Sequence, residues 1–275
     1  MRHILSFWYK IYRKLMIILG FISFISCEKE IDMQLDGVPK KYVIEGMVTD
    51  QSGGCQVLIS QTKDFNEDNA RQTISNALVT ISDGTDAFDL LETAPGTYTN
   101  SDLVGLPGKT YHLSVKIDSE EYTAQSTMPE VVKMDSLYIS EEFLFDQTEK
   151  LATIDFLDPA GILNYYRFVL YVNNEKKKQI FAFNDDLTDG NPNAVRLYYF
   201  TEEEDDEDRI KSGDLVRVEM LTTDASVYKY FFSLNNGATG DNNAAAPANP
   251  VSNLTGDALG YFSAHTFQYK EIKVP

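Results

Sequence analysis

Apolar and polar positions alternate along much of the chain. Cys55, Val57 and Ile59 alternate with Gln56, Leu58 and Ser60, and Tyr111, Leu113, Val115 and Ile117 alternate with His112, Ser114 and Lys116. A period of two sets one face of an extended strand against a core and the other toward water. The same reading predicts strands from Tyr42 toward Val48, around Ala77, Val79 and Ile81, around Phe88 to Leu91, at Thr97-Tyr98-Thr99 and from Tyr122 to Thr127. Turn sequences separate them: Asp50-Gln51-Ser52-Gly53-Gly54, Ser82-Asp83-Gly84, Pro95-Gly96 and Leu106-Pro107-Gly108. Residues 63–76 are polar and read as a loop. Short strands punctuated at roughly ten-residue intervals predict a β-sandwich. No segment of 41–128 has a helical period.

The second half is also mainly β. Leu137 and Ile139 open it, followed by a soft loop. Ala152 to Leu157 is a strand ending at Asp158-Pro159-Ala160-Gly161, and Tyr165 to Val172 is the most β-prone run in the chain. Ile180 to Phe183, Val195 to Phe200, Leu215 to Leu221 and Gly260 to Tyr269 are further predicted strands. One stretch breaks the pattern. Val227, Tyr230, Phe231 and Leu234 fall at i, i+3, i+4 and i+7, the stripe of an amphipathic helix. Asp224 caps its start and Gly237 follows its end. The stripe must dock on a sheet, and the helix with the long loop 237–257 that follows is the expected working face, the alternative being that the loop is a disordered spacer.

These patterns predict a mainly β fold of two sandwich-like domains, in the immunoglobulin or transthyretin manner. Residues 41–130 form the first. Residues 131–275 form the second, which carries one docked helix, and the halves meet at Met128-Pro129-Glu130.

The first residues read differently. Arg2, Lys10, Arg13 and Lys14 precede an apolar run from Leu15 to Ile25, interrupted only by Gly20 and Ser23. A run of about a dozen residues suits a signal peptide, because a membrane-spanning helix needs about 20. It ends in Phe24-Ile25-Ser26-Cys27, which resembles a lipobox. Residues 1–26 are then the signal peptide, Cys27 is the lipidated N-terminus, and residues 27–40 are a polar tether. The competing reading is an ordinary signal peptide followed by a chance Cys.

Charge narrows the function. Removing residues 1–26 leaves 20 basic against 42 acidic side chains, a formal charge of −22. So acidic a chain repels nucleic acid. With two cysteines, one of them Cys27, there is no disulfide framework and no metal-type Cys spacing. No Gly-x-Ser-x-Gly elbow, His-Glu-x-x-His motif or phosphate-cradling loop occurs. His112 lies on the polar face of its strand, and His265 has no Cys or His neighbour to share a metal. The acidic residues cluster in loops and runs, with no sign of a pair set in an apolar pocket. We therefore expect no catalytic residues, no cofactor and no metal ligands. The run Glu202-Glu203-Glu204-Asp205-Asp206-Glu207-Asp208 offers carboxylates to a cation, but it lacks the ligand spacing of a calcium loop and reads first as a solvated loop. Tyr165, Tyr166, Tyr198 and Tyr199 could stack on a sugar ring, but in strands they read first as core or cross-strand residues.

The order of several short motifs resembles a known family, the Bacteroidota lipoproteins with domain of unknown function 4249. The motifs are the Phe24-Ile25-Ser26-Cys27 signal end, Cys27-Glu28-Lys29-Glu30, Tyr42-Val43-Ile44-Glu45-Gly46, Asn76-Ala77-Leu78-Val79-Thr80-Ile81 and Gly96-Thr97-Tyr98. Asp158-Pro159-Ala160-Gly161 before Asn164-Tyr165-Tyr166, Gly213-Asp214, Ser252-Asn253-Leu254-Thr255-Gly256 and Leu259-Gly260-Tyr261-Phe262 complete them. The resemblance implies an outer-membrane lipoprotein exposed on the cell surface, serving as an accessory of a TonB-dependent nutrient-uptake transporter. It implies no catalytic residue. The alternative class is a structural or adhesive surface protein; a third is a hydrolase of a surface polymer.

Overall fold

Strand β1 (Tyr42–Thr49) turns Ile44, Gly46 and Val48 inward and pairs antiparallel with β2 (Cys55–Gln61). In β2 the buried set is Cys55, Val57 and Ile59, as the alternation requires. The computed structural model describes residues 39–63, 70–144, 147–199, 209–238 and 248–275. The signal segment, Cys27, most of the tether, the acidic run 202–208 and the middle of the loop 237–257 lie outside the described residues. About 55 % of the chain is strand, arranged as one large mixed sheet and a second sheet with one helix.

The first half closes by turning a corner. Strands β3 (Gln72–Thr73), β4 (Leu78–Ser82), β5 (Ala87–Ala94), β6 (Thr97–Thr99), β7 (Thr110–Ile117) and β8 (Glu120–Thr127) follow in order. The start of β5 pairs with β4, and its end pairs with β6 beside β2. One strand thus hands the sheet from one layer to the other. The two layers meet in a core where Ile44, Val57 and Ile59 face Val79, Ile81, Leu113 and Val115.

The second half is built on β9 (Met134–Leu144), β10 (Gln147–Leu157), β11 (Tyr165–Val172), β12 (Glu175–Lys176), β13 (Phe181–Asn184), β14 (Pro192–Leu197) and β15 (Leu215–Thr223). The smaller sheet has the order β14-β10-β9. Its residues Ala152, Ile154, Phe156 and Leu197 pack with Phe168, Leu170, Val216, Val218 and Met220 of the large sheet. The strand expected to begin near Ala152 starts at Gln147, since its early residues gain a partner in β9.

The last strand, β16 (Leu259–Lys273), is longer than the predicted Gly260 to Tyr269 and serves both halves. Leu259 to His265 run parallel to β1, and Thr266 to Lys273 run antiparallel to β15. Apart from residues 254–264, the first core is drawn from positions up to Met128 and the second from Val132 onward. Yet Leu254, Ala258, Phe262 and Ala264 belong to the first core, and residues 39–275 form one unit. Parallel strands need a long crossover, and here β2 through β15 and the helix all lie between the two paired strands. Gly260, at φ +102, permits the approach: a Cβ there would lie 2.0 Å from the Ile44 carbonyl oxygen.

Helix α1 (Ala225–Ala238) begins where the sequence places it. The Asp224 carboxylate accepts the Ser226 and Val227 amides at 3.0 Å each, the geometry of an N-cap. Gly237 lies inside the last turn and does not follow the helix, because the helix runs on to Ala238. Val227, Tyr230 and Phe231 are buried, and Leu234 is packed beside them. Tyr230 and Phe231 meet the Tyr261 ring at 4.8 and 4.9 Å.

Candidate functional site

The loop proposed as a working face is anchored at its C-terminal end. Asn253 receives the Phe262 amide at 2.9 Å and donates to the Phe262 carbonyl at 2.8 Å and to Gln125 at 3.2 Å. The Thr255 amide donates to the Thr123 carbonyl at 2.7 Å. Asp224 completes this clasp: its second oxygen accepts the Ser126 hydroxyl at 2.7 Å and the Thr127 amide at 2.9 Å. One carboxylate therefore caps a helix and holds the edge of β8. Strand edges left unpaired recruit other chains, and this edge is covered along part of its length.

The clasp also walls a groove. Thr80, Ser82, His112, Ser114, Thr123 and Gln125 project from the outer faces of β4, β7 and β8, and Asn253 and Thr255 stand at one side. Its volume is about 530 Å³. The projecting groups are hydroxyls, amides and one exposed imidazole, with no carboxylate or ammonium among them. The Thr80 and Ser114 hydroxyls already donate to Asp89 and Glu121, and apolar atoms make up most of the exposed lining, so the groove suits a partner with an apolar face and a few hydrogen-bonding groups. A second cleft, about 310 Å³, opens between α1 and the sheet beside Arg167, Lys176 and Phe231. The Arg167 guanidinium carbon sits 3.7 Å from the Phe231 ring centroid. Burial draws the affinity of Arg167 for its proton downward, and burial and then Arg167 do the same to Lys176.

The sequence-selected residues separate. His112 is exposed in the groove. His265 is buried, 2.8 Å from the Ser263 hydroxyl, and burial reinforced by Arg167 lowers its pKa to about 3. A Ser and a His at this distance have the spacing of a nucleophile and base, but Ser263 is 2 % exposed and no substrate reaches it. Cys55 is likewise enclosed, its thiol pushed up to about 11 mainly by burial. Tyr166 is in the second core, Tyr165 stacks on Tyr228 at 5.0 Å, and Tyr198 donates to Glu142 at 3.0 Å. Tyr199 packs against the second core, so the four tyrosines do not share one platform. Cys27 and the run 202–208 lie outside the described residues.

The sequence reading missed an acidic cluster and expected no buried acidic pair. Asp158 follows β10, Asp185 follows β13, and Asp189 lies in the turn before β14. Because β13 belongs to the large sheet and β14 to the small one, this turn is where the chain passes between layers. Each aspartate offers one oxygen, all within 4.8 Å of one another. Asp158 and Asp185 are each 1 % exposed, while Asp189 is exposed. Asp158 accepts from the Tyr166 hydroxyl and, at 3.1 Å, from the Gly190 amide. Asp185 accepts the Asn164 amide at 2.8 Å and Asp189 the Gly161 amide at 2.7 Å. Burial and then the Asp158 carboxylate raise the pKa of Tyr166 far above the ordinary phenol, so it stays a donor. Gly190 lets the two loops close, since a Cβ there would lie 2.7 Å from that of Ala160. One signal was legible: Asp185, Asp189 and Gly190 keep the spacing of the first, fifth and sixth places of a calcium loop, with Leu187 at the third.

A mainly β, sandwich-like protein with a surface groove lined by no charged side chain and a buried acidic corner is thus defined. The chain belongs to the family described as Domain of unknown function (DUF4249), which matches residues 28–271. Comparison with curated proteins finds no match. Among the described residues no helix is long and apolar enough to cross a membrane.

Proposed function

We propose that the protein is a lipoprotein of the outer membrane, anchored through lipid on Cys27 and exposed at the cell surface. It acts without catalysis, as an accessory of a TonB-dependent nutrient-uptake transporter, binding the transporter or its cargo. The observation that carries the reading is the groove on β4, β7 and β8, a surface lined by no charged side chain, beside an edge that is covered along part of its length. The one close Ser–His pair described above is sealed from substrate, which supports binding over chemistry. The polar stretch after Cys27 supports the anchor, because eleven residues, 28–38, can extend about 35–40 Å from the membrane before the folded unit begins at Pro39.

Replacing Cys27 by Ala tests the anchor: the variant is expected in the soluble fraction, and unchanged membrane association would refute lipidation. Affinity purification in mild detergent followed by mass spectrometry tests the partner. The wild type is expected to carry a transporter with it, and the double variant His112→Ala, Gln125→Ala to lose it. Both side chains stand on the outer face, so folding is expected to be unchanged. Equal recovery by both proteins would remove the groove from the reading.

A further inference from the structure

We propose that Asp158, Asp185 and Asp189 form a calcium site that fastens the two layers of the second sandwich. Three observations carry it. First, the three oxygens lie within 4.8 Å of one another. Ligands held about 2.3–2.6 Å from one calcium ion are separated by no more than about 5 Å, so the spacing suits a shared ion. Second, among the described residues no Lys, Arg or His is ion-paired with any of the three. Their partners are backbone amides and a phenol, which orient carboxylates without cancelling their charge. Buried like charges are relieved by a compensating cation or metal or by taking up a proton, and a bound ion keeps all three carboxylates charged. Third, Asp185 Oδ1 is buried and has no hydrogen-bond partner. Its other oxygen is held by Asn164, so the carboxylate is fixed with one atom unused. A buried acceptor left unmatched costs about 1–3 kcal/mol, more when charged.

The ligand chemistry selects the ion. All donors are hard oxygens, which suit calcium, magnesium or manganese rather than zinc or copper. Magnesium demands a near-ideal octahedron at about 2.0–2.1 Å. Ligands from two loops of different sheets, one exposed and two buried, form the irregular shell that calcium accepts. The ion would join the end of β10 to the turn between β13 and β14, so binding would stabilise the junction.

The test uses the full chain in detergent, stripped with EGTA. Calorimetric titration with CaCl2 is expected to show one tight site, and a hundredfold excess over Kd is expected to raise the unfolding midpoint by about 5–10 °C. Terbium, a calcium substitute, is expected to emit under tyrosine excitation, because Tyr166 hydrogen-bonds to Asp158. The lone Trp8 lies in the segment removed with the signal peptide and does not compete. Asp185→Asn keeps the shape of the side chain and is expected to abolish the midpoint shift and the emission. Should it fail to fold, Asp189→Asn at the exposed position is expected to weaken binding at least tenfold without moving the calcium-free midpoint. Absence of calcium-dependent heat and midpoint shift in the wild type would overturn the proposal. So would unchanged affinity in both variants, which would assign the ion to other carboxylates such as the run 202–208.

Discussion

Among the described residues the first core contains no buried Asp, Glu, Lys or Arg, whereas the second half encloses Asp158, Asp185 and Lys177. In the first, β1, β2 and β7 alternate with a period of two over most of their length, and among the described residues from Ile44 to Ile117 the buried side chains are apolar apart from Thr49 and Ser60. In the second, the chain crosses between sheets at the turn 185–191 and carries carboxylates inward with it. A core that only holds a fold gains nothing from a buried carboxylate, since desolvation outweighs what neutral hydrogen bonds return. The difference teaches where buried charge was placed: at the layer crossing of the second half.

The largest expected effect bears on whether the first core is independent. A fragment spanning 41–129 lacks Leu254, Ala258, Phe262 and Ala264 and the parallel partner of β1. It is expected to be unfolded by circular dichroism. A cooperative unfolding transition would show that the first core closes without β16.

The next effect lies at the strand that joins the halves. His265 has a pKa of about 3 when folded against 6.5 for the ordinary imidazole. Because the unfolded state binds the proton first, its contribution is complete above pH 6.5 and is lost progressively as pH falls to about 3. Full loss amounts to roughly 4–5 kcal/mol at 1.36 kcal/mol per unit. Denaturant titrations across this window are expected to show a shallower decline for His265→Gln than for the wild type. Equal slopes would remove His265 from the acid response.

Cavity formation separates the cores again. Leu113→Ala, fully inside the first core, is expected to cost about 2–5 kcal/mol. Its effect should be the same with calcium and with EGTA, since the residue lies in the core that does not contain the three aspartates. A calcium-dependent penalty would mean that the two cores are energetically coupled. The smallest effect is at the clasp: Asp224→Ala removes a helix cap and the bonds to Ser126 and Thr127, for about 1–2 kcal/mol. Chemical denaturation measures it, and a change below about 0.5 kcal/mol would show that water replaces the carboxylate.

The sequence by itself determined what repeats within a strand or a helical turn. Alternation at Cys55, Val57 and Ile59 and at Tyr111, Leu113, Val115 and Ile117 named the inward faces, because side-chain direction is a local consequence of backbone geometry. The stripe Val227, Tyr230, Phe231 and Leu234 and the cap at Asp224 named the helix for the same reason. The exposed setting of His112 followed from its place in the alternation. Only the tertiary structure decided which strands meet. Nothing near Leu259 in sequence shows that it runs beside Val43, or that β5 divides itself between β4 and β6. The groove needed residues 80–125 and 253–255 brought to one face, and the acidic corner needed Asp158 carried to a turn that follows it by 27 residues. Such pairings are set by the summed burial of two cores, a quantity distributed over the whole chain and absent from any short window of it.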